Sequence, residues 1–468
     1  MKAGPDISGE PAPRPVSTVS PVGPVSAGQA FWFWLKLGFV SFGGPAGQIA
    51  LMHEELVSKR RWMSERRFLH ALNYCMVLPG PEAQQLATYI GWLMHRTWGG
   101  VVAGALFVLP SLLLLIALSA VYVLFGSMPL VAGVLAGIKP AVTAIVVQAA
   151  HRIGAKVLKN RVLWGMAALA FVGMTALDLP FPLIILAAAA VGVVGSHWAP
   201  HYFQSGGGHN ASTQSSTPAW IDDDTPPPAH ARFSPLRLGW VIAVGLALWC
   251  LPMAAVVMLQ GTQSTLAQMG WFFTKAALLT FGGAYAVLPY VYQGAVSQFG
   301  WLSAPQMMDG LALGETTPGP LIMVVAFVAF VGGYAKALLG PESLFMAGAL
   351  AACLVTWFTF LPSFIFILAG GPLVESTHND LTFTAPLTAI TAAVVGVILN
   401  LALFFGFHLL WPEGLGHTWQ DAQNAPFDWR SALLAVGAAV ALFKYKRSVM
   451  QVMGVSALIG LAIATLPL

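Results

Sequence analysis

The chain has 468 residues, of which 57% are hydrophobic and only 9% charged, and its mean hydropathy is +0.74. A soluble globular protein carries about 25% charged residues, so this composition excludes that class. The net charge of +4 comes largely from basic residues beside apolar runs. Such clusters are typical of cytoplasmic loops in membrane proteins, and we therefore predict a lipid environment and no nucleic-acid partner.

Residues 1–30 are rich in Pro, Ser and Gly, which predicts a disordered N-terminal tail. Apolar runs of about 20 residues, long enough to cross a hydrocarbon core of about 30 Å, then recur along the chain. The clear runs are 102–125, 161–178, 181–197, 239–260, 344–369, 386–411 and 447–466. Such continuous runs predict an all-α polytopic protein, placed as a multi-pass protein in the cell inner (plasma) membrane.

Residues 31–197 and 237–468 are predicted to be two homologous repeats. An offset of 239 aligns Phe42-Gly43-Gly44 with Phe281-Gly282-Gly283, and Pro79-Gly80-Pro81 with Pro318-Gly319-Pro320. Further along, an offset of 252 aligns Leu109-Pro110-Ser111 with Leu361-Pro362-Ser363. The second repeat therefore contains 252 − 239 = 13 additional residues, which we place in the stretch GYAKALLGPES.

Residues 198–236 separate the repeats, and their Gly, Ser, Pro and Asp content predicts a flexible linker outside the bilayer. Loop 54–67 has five basic residues, whereas its counterpart 293–306 has none. The positive-inside rule places the first loop in the cytoplasm. An additional span at 239–260 would invert the second repeat, an arrangement that recurs in transporters with a central substrate site. The number of spans stays open, because segments 31–53 and 68–94 can each cross or turn back.

The glycine and proline motifs predict breaks in helices at membrane depth. Glycine permits positive φ, and proline interrupts the helical hydrogen-bond ladder. Each break creates a helix N-terminus, which favours an anion. Two interpretations stay open, namely convergence on one anion site or close helix packing through small residues. The candidate substrate-binding residues in the breaks are Gly43, Gly44, Pro79, Gly80, Pro81, Gly282, Gly283, Pro318, Gly319 and Pro320.

Polar side chains near the breaks complete the predicted binding site. Lys36 and Lys275 each lie seven residues, about two helical turns, before the first glycine of an FGG motif. Either lysine supplies positive charge to the site or extends to the membrane surface. Lys139 either marks a membrane mouth or joins the pathway. The further candidate donors are Ser41, Thr280, Gln84 and Gln85, although the two hydroxyls could instead bond backbone carbonyls.

Glu82 and Glu315 are acidic residues within apolar segments, and such residues are functional candidates by default. A carboxylate beside an anion site repels the substrate unless it is protonated, which predicts proton coupling. The alternative is a structural partner for a helix N-terminus or a lysine. We predict no metal site, cofactor or enzymatic activity, because the sequence contains no Walker motif, metal-ligand spacing or nucleophile–base signature.

The two repeats are chemically unequal at these motifs. Gln84 and Gln85 align with the apolar Met323 and Val324, whereas Glu315 aligns with Met76. Amide donors therefore favour the first repeat as the anion-binding side.

The stretches "WLKLGFVSFGGPAGQIALMHEELV" and "VLPGPEAQQLATYIGW" closely resemble the N-terminal signature of the chromate transporter (CHR) family. The second repeat contains the matching "FGGAYAVLPYV" and "GETTPGPLIMVVAFVAF". The resemblance implies a long-chain, two-domain member that exports chromate from the cytoplasm without ATP and confers chromate resistance. The residues alone indicate only a secondary transporter of an anion.

One alternative to chromate export stays open, and the sequence argues against two others. The first is transport of sulfate or another tetrahedral oxyanion, since sulfate has the same charge and nearly the same size as chromate. The second is a membrane-embedded reductase, which should contain haem-ligating histidine pairs or a flavin motif, and the sequence contains neither. The third is a structural membrane protein, which has no need of duplicated helix breaks. The coupling ion is left open, and so is the oligomeric state, with a homodimer among the options.

Overall fold

A computed structural model describes residues 23–203, 218–223, 225–226, 228–376, 384–412 and 426–465. Its α-helices, in chain order, are α1 (Ala27–Val40), α2 (Gly44–His53), α3 (Glu65–Val77), α4 (Glu82–Phe125), α5 (Pro129–Val157), α6 (Arg161–Ala176), α7 (Phe181–Trp198), α8 (Pro235–Gln260), α9 (Thr265–Leu278), α10 (Ala284–Tyr292), α11 (Ala304–Thr316), α12 (Val324–Ala335), α13 (Leu344–Ser376), α14 (Thr384–Leu410), α15 (Trp429–Phe443) and α16 (Val449–Thr465). Over these ranges the only β pairing is an isolated bridge between Met63 and Ile221. The predicted all-α fold is confirmed.

Helix α1 begins within the last residues of the segment predicted to be a disordered tail. The Ser26 hydroxyl accepts a hydrogen bond from the Gln29 backbone N–H (3.2 Å), and the Gln29 side chain accepts one from the Ser26 N–H (3.0 Å). This reciprocal capping box fixes the helix start at Ala27. The predicted boundary at residue 30 therefore falls inside a helix, while residues 1–22 lie outside the described ranges.

Six helical segments are long and apolar enough to cross a membrane, and they correspond to α4, α5, α7, α8, α13 and α14. Shorter apolar helices include α6, α15 and α16, with 16, 15 and 17 residues. A chain with this many apolar helices is a multi-pass membrane protein.

The two repeats match element by element. The pair α1–α2 corresponds to α9–α10, α3 to α11, and α5 to α14. Even irregular features recur, since a π-helical turn follows the second helix in each repeat, at Glu54–Lys59 and Gln293–Gln298. Equivalent serines, Ser64 and Ser303, cap α3 and α11. The duplication inferred from the sequence therefore extends to local backbone geometry.

The repeats differ where additional residues were predicted. Helix α4 contains two arms, 82–94 and 97–125, which meet at the non-helical residues His95 and Arg96. In the second repeat the corresponding helices α12 and α13 are separated by residues 336–343. These residues lie within the stretch GYAKALLGPES, in agreement with the predicted insertion.

The short helices of the first repeat form two hairpins that open at the same end of the molecule. With 14, 10 and 13 residues, α1, α2 and α3 are about 21, 15 and 20 Å long, too short to cross a core of about 30 Å. His95, at the end of the first arm of α4, bonds through Nε2 to the carbonyl of Val25, which precedes α1 (2.9 Å). Segments 31–53 and 68–94 therefore each turn back.

The later helices of each repeat pack on the other repeat. Helices α6 and α7 contact α14, while α15 and α16 contact α5. Since α5 and α14 are equivalent, this exchange is reciprocal. The repeats are thus interlocked, which places their helix breaks at a shared interface.

Candidate functional site

The breaks of the two repeats are joined by a pair of equivalent hydrogen bonds. The N–H of Gly80 donates to the Thr280 carbonyl (2.7 Å), and the N–H of Gly319 donates to the Ser41 carbonyl (2.8 Å). The offset of 239 relates Gly80 to Gly319 and Ser41 to Thr280. Each Pro-Gly-Pro break therefore contacts the segment beside the FGG motif of the other repeat, and the four breaks meet around a local pseudo-two-fold axis.

Gly80 and Gly319 are required here for two physical reasons. Their φ angles are +129° and +100°, a region that residues with a Cβ rarely adopt. A Cβ on Gly80 would also collide with the hydroxyl of Ser363, and one on Gly319 would lie 2.7 Å from the Cβ of Ser111. Close approach of the repeats thus depends on glycine at both positions. The flanking prolines, Pro79 and Pro81 in the first repeat and Pro318 and Pro320 in the second, separate α3 from α4 and α11 from α12.

Buried glutamines surround the first Pro-Gly-Pro break. Gln84 and Gln85 are fully buried. The amide of Gln85 donates to the Pro79 carbonyl (2.8 Å), and that of Gln84 donates to the Thr88 hydroxyl (2.9 Å). Their Oε1 atoms have no hydrogen-bond partner within the described ranges. Two buried carbonyl oxygens beside the break therefore lack hydrogen-bond donors in the part of the chain that the structure describes, which is unusual in a folded protein.

Gln48 is a third buried glutamine at the breaks, and the sequence analysis did not select it. Its Nε2 donates to the Gly319 carbonyl (2.5 Å), so this α2 side chain also crosses between the repeats. The available signal was its position four residues after Gly44 in FGGPAGQ, because residues four apart share a helix face.

The FGG motifs border open space. A Cβ added to Gly43, Gly44 or Gly283 would meet no atom within 4 Å, whereas one on Gly282 would contact Thr391. Helix α2 begins at Gly44, the last residue of the first motif, and α10 begins directly after the second motif. The arrangement leaves room beside two helix N-termini, where an anion is favoured.

The hydroxyls of Ser41 and Thr280 are already engaged. Each donates to the carbonyl four residues earlier, Ser41 to Leu37 (2.6 Å) and Thr280 to Ala276 (2.7 Å). This is the backbone-bonding alternative that the sequence left open. What these residues contribute to the interface is their carbonyl oxygen, not a hydroxyl donor.

The structure does not bring Lys36 and Lys275 to the buried breaks. Both side chains are exposed, each four residues after an exposed tryptophan, Trp32 or Trp271. Since residues four apart share a helix face, each lysine lies on an exposed aromatic surface. This placement matches a lysine that extends along apolar surface toward water.

Lys139 is paired with a buried acid that the sequence analysis did not select. Its Nζ lies 3.2 Å from Asp309 Oδ1, and the Tyr122 hydroxyl donates to the other carboxylate oxygen (3.0 Å). The Asp309 side chain is 4% exposed and that of Lys139 is 27% exposed. The positive charge of Lys139 is therefore balanced while this ion pair is closed.

The two acidic candidates occupy different environments. Glu82 is the first residue of α4, where a carboxylate complements the helix dipole. Glu315 is buried at the end of α11 and accepts a hydrogen bond from the Tyr285 hydroxyl. Tyr285 was also missed, since its partner lies 30 residues away in the sequence.

A second buried ion pair lies at the end where the first-repeat hairpins open. Arg67 Nη1 contacts Glu375 Oε2 at 2.8 Å, and the Tyr89 hydroxyl donates to the other oxygen of this carboxylate. The side chains of Arg67 and Glu375 are 11% and 2% exposed. Sequence reasoning treated Arg67 only as a loop charge. The signal for Glu375 was an acidic residue at the end of an apolar run.

Part of the predicted flexible linker is seated on the first repeat. Ile221 donates its N–H to the Trp62 carbonyl (3.1 Å), and its carbonyl accepts from the Ser64 N–H (2.9 Å). The Ser64 hydroxyl donates to Asp223 (2.6 Å), and Arg67 donates to the Thr225 carbonyl (2.5 Å). Residues 218–223 and 225–226, which we call the linker strap, therefore cover loop 60–67.

Comparison with known proteins places the chain in a family. Residues 28–193 and 267–461 match the family model described as "Chromate transporter". A chromate transport protein of Pseudomonas aeruginosa is 35% identical over 387 residues, which are 80% of each chain. A chromate transport protein of Cupriavidus metallidurans is 28% identical over 435 residues, which are 92% of each chain.

A relative from Bacillus subtilis also reflects the duplication. The uncharacterized transporter YwrB is 30% identical over 164 residues, which are 34% of this chain and 82% of that protein. No solved structure matches the chain. With two matched regions that together cover most of its length, the chain belongs to the chromate transporter family.

Proposed function

We propose that the protein is a secondary active transporter that exports chromate from the cytoplasm across the inner (plasma) membrane and thereby confers chromate resistance. The observation that carries this proposal is the reciprocal bonding of Gly80 to Thr280 and of Gly319 to Ser41. It joins equivalent helix breaks at one interface, as expected for a substrate site between transporter repeats. Relatives named chromate transport proteins support the choice of substrate.

The path of the chain supports an inverted arrangement of the repeats, with boundaries near 31–197 and 237–468. The second arm of α4 and helices α5, α6 and α7 make four passes, which return the chain to the end of loop 60–67. Docking of the linker strap on this loop agrees with that count. Helix α8 adds one further pass, so the hairpins α9–α10 and α11–α12 enter from the opposite end.

Basic residues support a cytoplasmic location for the end that contains loop 60–67. On the chain path above, this end contains Lys59, Arg60, Arg61, Arg66, Arg67, Arg96, Arg152, Lys156, Lys159, Arg161, Arg232, Arg237, Lys444, Lys446 and Arg447. Lys336 and Arg430 fall at the other end. Cytoplasmic loops carry an excess of Lys and Arg.

An equivalent pair of serines offers a matched test of this topology. Ser58 and Ser297 are related by the offset of 239, and both are exposed in their π-helical turns. We expect a membrane-impermeant maleimide to label Ser297→Cys in intact cells and Ser58→Cys only in inverted vesicles. The native cysteines Cys75, Cys250 and Cys353 are replaced first. Labelling of both positions from one side would contradict the inverted arrangement.

Export itself is tested with inside-out vesicles and radiolabelled chromate. Energised vesicles that contain the protein should accumulate chromate, whereas vesicles without it should not. Uptake only by right-side-out vesicles would reverse the proposed direction, and no uptake in either orientation would reject the function. Sulfate is the second candidate substrate, because a site of backbone N–H and amide donors suits any tetrahedral dianion. If sulfate inhibits the uptake of radiolabelled chromate at lower concentrations than unlabelled chromate does, sulfate is the favoured substrate.

A further inference from the structure

Two serines lie at the helix breaks but belong to neither glycine motif. Ser111 on α4 and Ser363 on α13 are related by the offset of 252, and each follows a proline inside its helix. They are 0% and 1% exposed. Ser111 lies against Gly319, and Ser363 lies against Gly80. Each serine thus contacts the Pro-Gly-Pro glycine of the opposite repeat.

The hydroxyls of these serines form fewer hydrogen bonds than is usual for buried hydroxyls. A buried hydroxyl in a helix commonly bonds the carbonyl one turn earlier, as Thr359 on α13 does with Val355 (2.8 Å). The Ser111 hydroxyl has no hydrogen-bond partner among the described residues. Ser363 accepts a long contact from Gln85 Nε2 (3.5 Å), which leaves its proton to be donated. Buried polar groups without partners are uncommon in folded proteins.

Each serine also lies beside a helix start. Helix α4 begins two residues after Gly80, and the helical turn that leads into α12 begins two residues after Gly319. The first N–H groups of a helix have no partner within it, and together with the helix dipole they favour an anion. A free hydroxyl beside such a helix end supplies a further donor to an oxyanion oxygen.

We propose that Ser111 and Ser363 are substrate ligands, one in each of two half-sites related by the internal repeat. Each hydroxyl donates a hydrogen bond to an oxygen of the transported tetrahedral oxyanion. This inference rests on the proposed transport function and adds the side chains through which each repeat contacts the ion.

The test compares Ser111→Ala and Ser363→Ala with Ser119→Ala. Ser119 is a matched control, because it lies on the same α4 arm as Ser111 and its buried hydroxyl also has no partner in the described part of the chain. Uptake of radiolabelled chromate and of radiolabelled sulfate is measured in inverted vesicles. Loss of a hydrogen bond to a charged ligand should raise KM roughly tenfold or more in each test variant. Ser119→Ala should keep the KM of the unmodified protein.

Melting of each variant in detergent separates ligand loss from misfolding, since the proposal expects a raised KM with unchanged melting. If the unmodified protein transports chromate or sulfate but both test variants keep its KM, the serine assignment is overturned and the transport function stands. The assignment is also overturned if Ser119→Ala raises KM as much as they do. If the unmodified protein transports neither ion, the transport function fails and the assignment fails with it.

Discussion

The two repeats share a backbone plan but not a pattern of charges. Both contain a π-helical turn, a serine cap and a Pro-Gly-Pro break at equivalent positions. Their buried ion pairs, in contrast, occupy non-equivalent positions, since Arg67 aligns with Gln306 and Asp309 aligns with His70. A backbone break depends on glycine and proline at fixed positions. An ion pair, in contrast, can join two helices from several different positions along each helix.

The ion pairs nevertheless make comparable connections. Arg67 on α3 contacts Glu375 on α13, and Asp309 on α11 contacts Lys139 on α5. In both cases the third helix of one repeat is tied to a long helix of the other. The Arg67 pair is the more deeply buried and is covered by the linker strap, while Lys139 is 27% exposed. The comparison therefore predicts that the two repeats are held together more strongly at the end that contains loop 60–67 than at the opposite end.

The largest effect is expected when Arg67 is removed. Arg67→Met leaves the Glu375 carboxylate, 2% exposed, without its cation, and breaking a buried pair in this way costs about 3–5 kcal/mol. Lys139→Met should cost less, because the Lys139 side chain is partly exposed. Melting temperatures in detergent provide the measurement.

A double variant shows whether the unpaired charge causes the loss. Arg67→Met combined with Glu375→Gln should regain most of the stability lost by Arg67→Met alone, since no unpaired buried charge remains. If Arg67→Met and Lys139→Met lower the melting temperature equally, the predicted difference in stability between the two ends of the molecule is wrong.

The next effect concerns the glycines that join the repeats. Gly80→Ala and Gly319→Ala should each reduce chromate uptake at least tenfold with normal membrane insertion, because both positions combine positive φ with a collision. Gly340→Ala is the control, since its φ is +88°, nothing lies within 4 Å of an added Cβ, and it lies between α12 and α13, away from the breaks. A left-handed conformation alone costs about 1–2 kcal/mol. Equal losses in all three variants would show that backbone conformation matters and the contact between repeats does not.

Glycine and proline explain why much of the site could be predicted. The breaks at 43–45, 79–81, 282–283 and 318–320 were identified from residue type alone, because few other residues interrupt a helix. Their convergence on one site was one of two interpretations that the sequence left open, the other being close helix packing. The hydroxyls of Ser41 and Thr280 were less predictable, since a serine or threonine in a helix can face a ligand or bond its own backbone.

Long-range polar partners could not be predicted from the sequence. Arg67 and Glu375 are 308 residues apart, and the internal repeat gives no second copy of this pair. The linker strap was missed for a related reason. Its composition indicates flexible chain, yet Ile221 and Asp223 find backbone and side-chain partners on loop 60–67.

A smaller effect should separate the two acidic candidates. Glu82→Gln removes a negative charge at the start of α4 while keeping the side-chain volume. We expect it to lower the apparent KM for chromate or to flatten the dependence of uptake on pH across about pH 6 to 8. Leu321→Met is the control, because Leu321 is the buried, apolar equivalent of Glu82 in the second repeat.

The same measurement on Glu315→Gln decides between the acids. Glu315 accepts a hydrogen bond from Tyr285, so a structural role there would lower stability without changing the pH profile. An unchanged profile for Glu82→Gln, together with a changed one for Glu315→Gln, would transfer proton coupling to the second repeat.

The smallest effect is expected at the linker strap, which docks on loop 60–67 of the first repeat. His230 lies between the linker strap and α8, and its ring bonds through Nε2 to the Trp92 carbonyl (2.9 Å). Burial lowers the pKa of His230 below its ordinary value of 6.5, and the nearby charges of Arg96 and Arg237 lower it further against the opposing effect of this hydrogen bond. The docked linker therefore binds fewer protons than the released linker, and its docking should weaken as pH falls below about 6.5.

Labelling of Ile221→Cys in inverted vesicles measures this release, because Ile221 belongs to the linker strap and is buried while the strap is docked on loop 60–67. We expect its maleimide reaction rate, divided by that of the exposed Ser58→Cys at each pH, to rise a few-fold between about pH 7 and pH 5.5. The ratio corrects for the chemistry of the thiol itself. His230→Gln cannot gain a proton, so it should keep the ratio constant while the linker stays docked. A ratio that rises equally in His230→Gln would assign the acid sensitivity to a group other than His230.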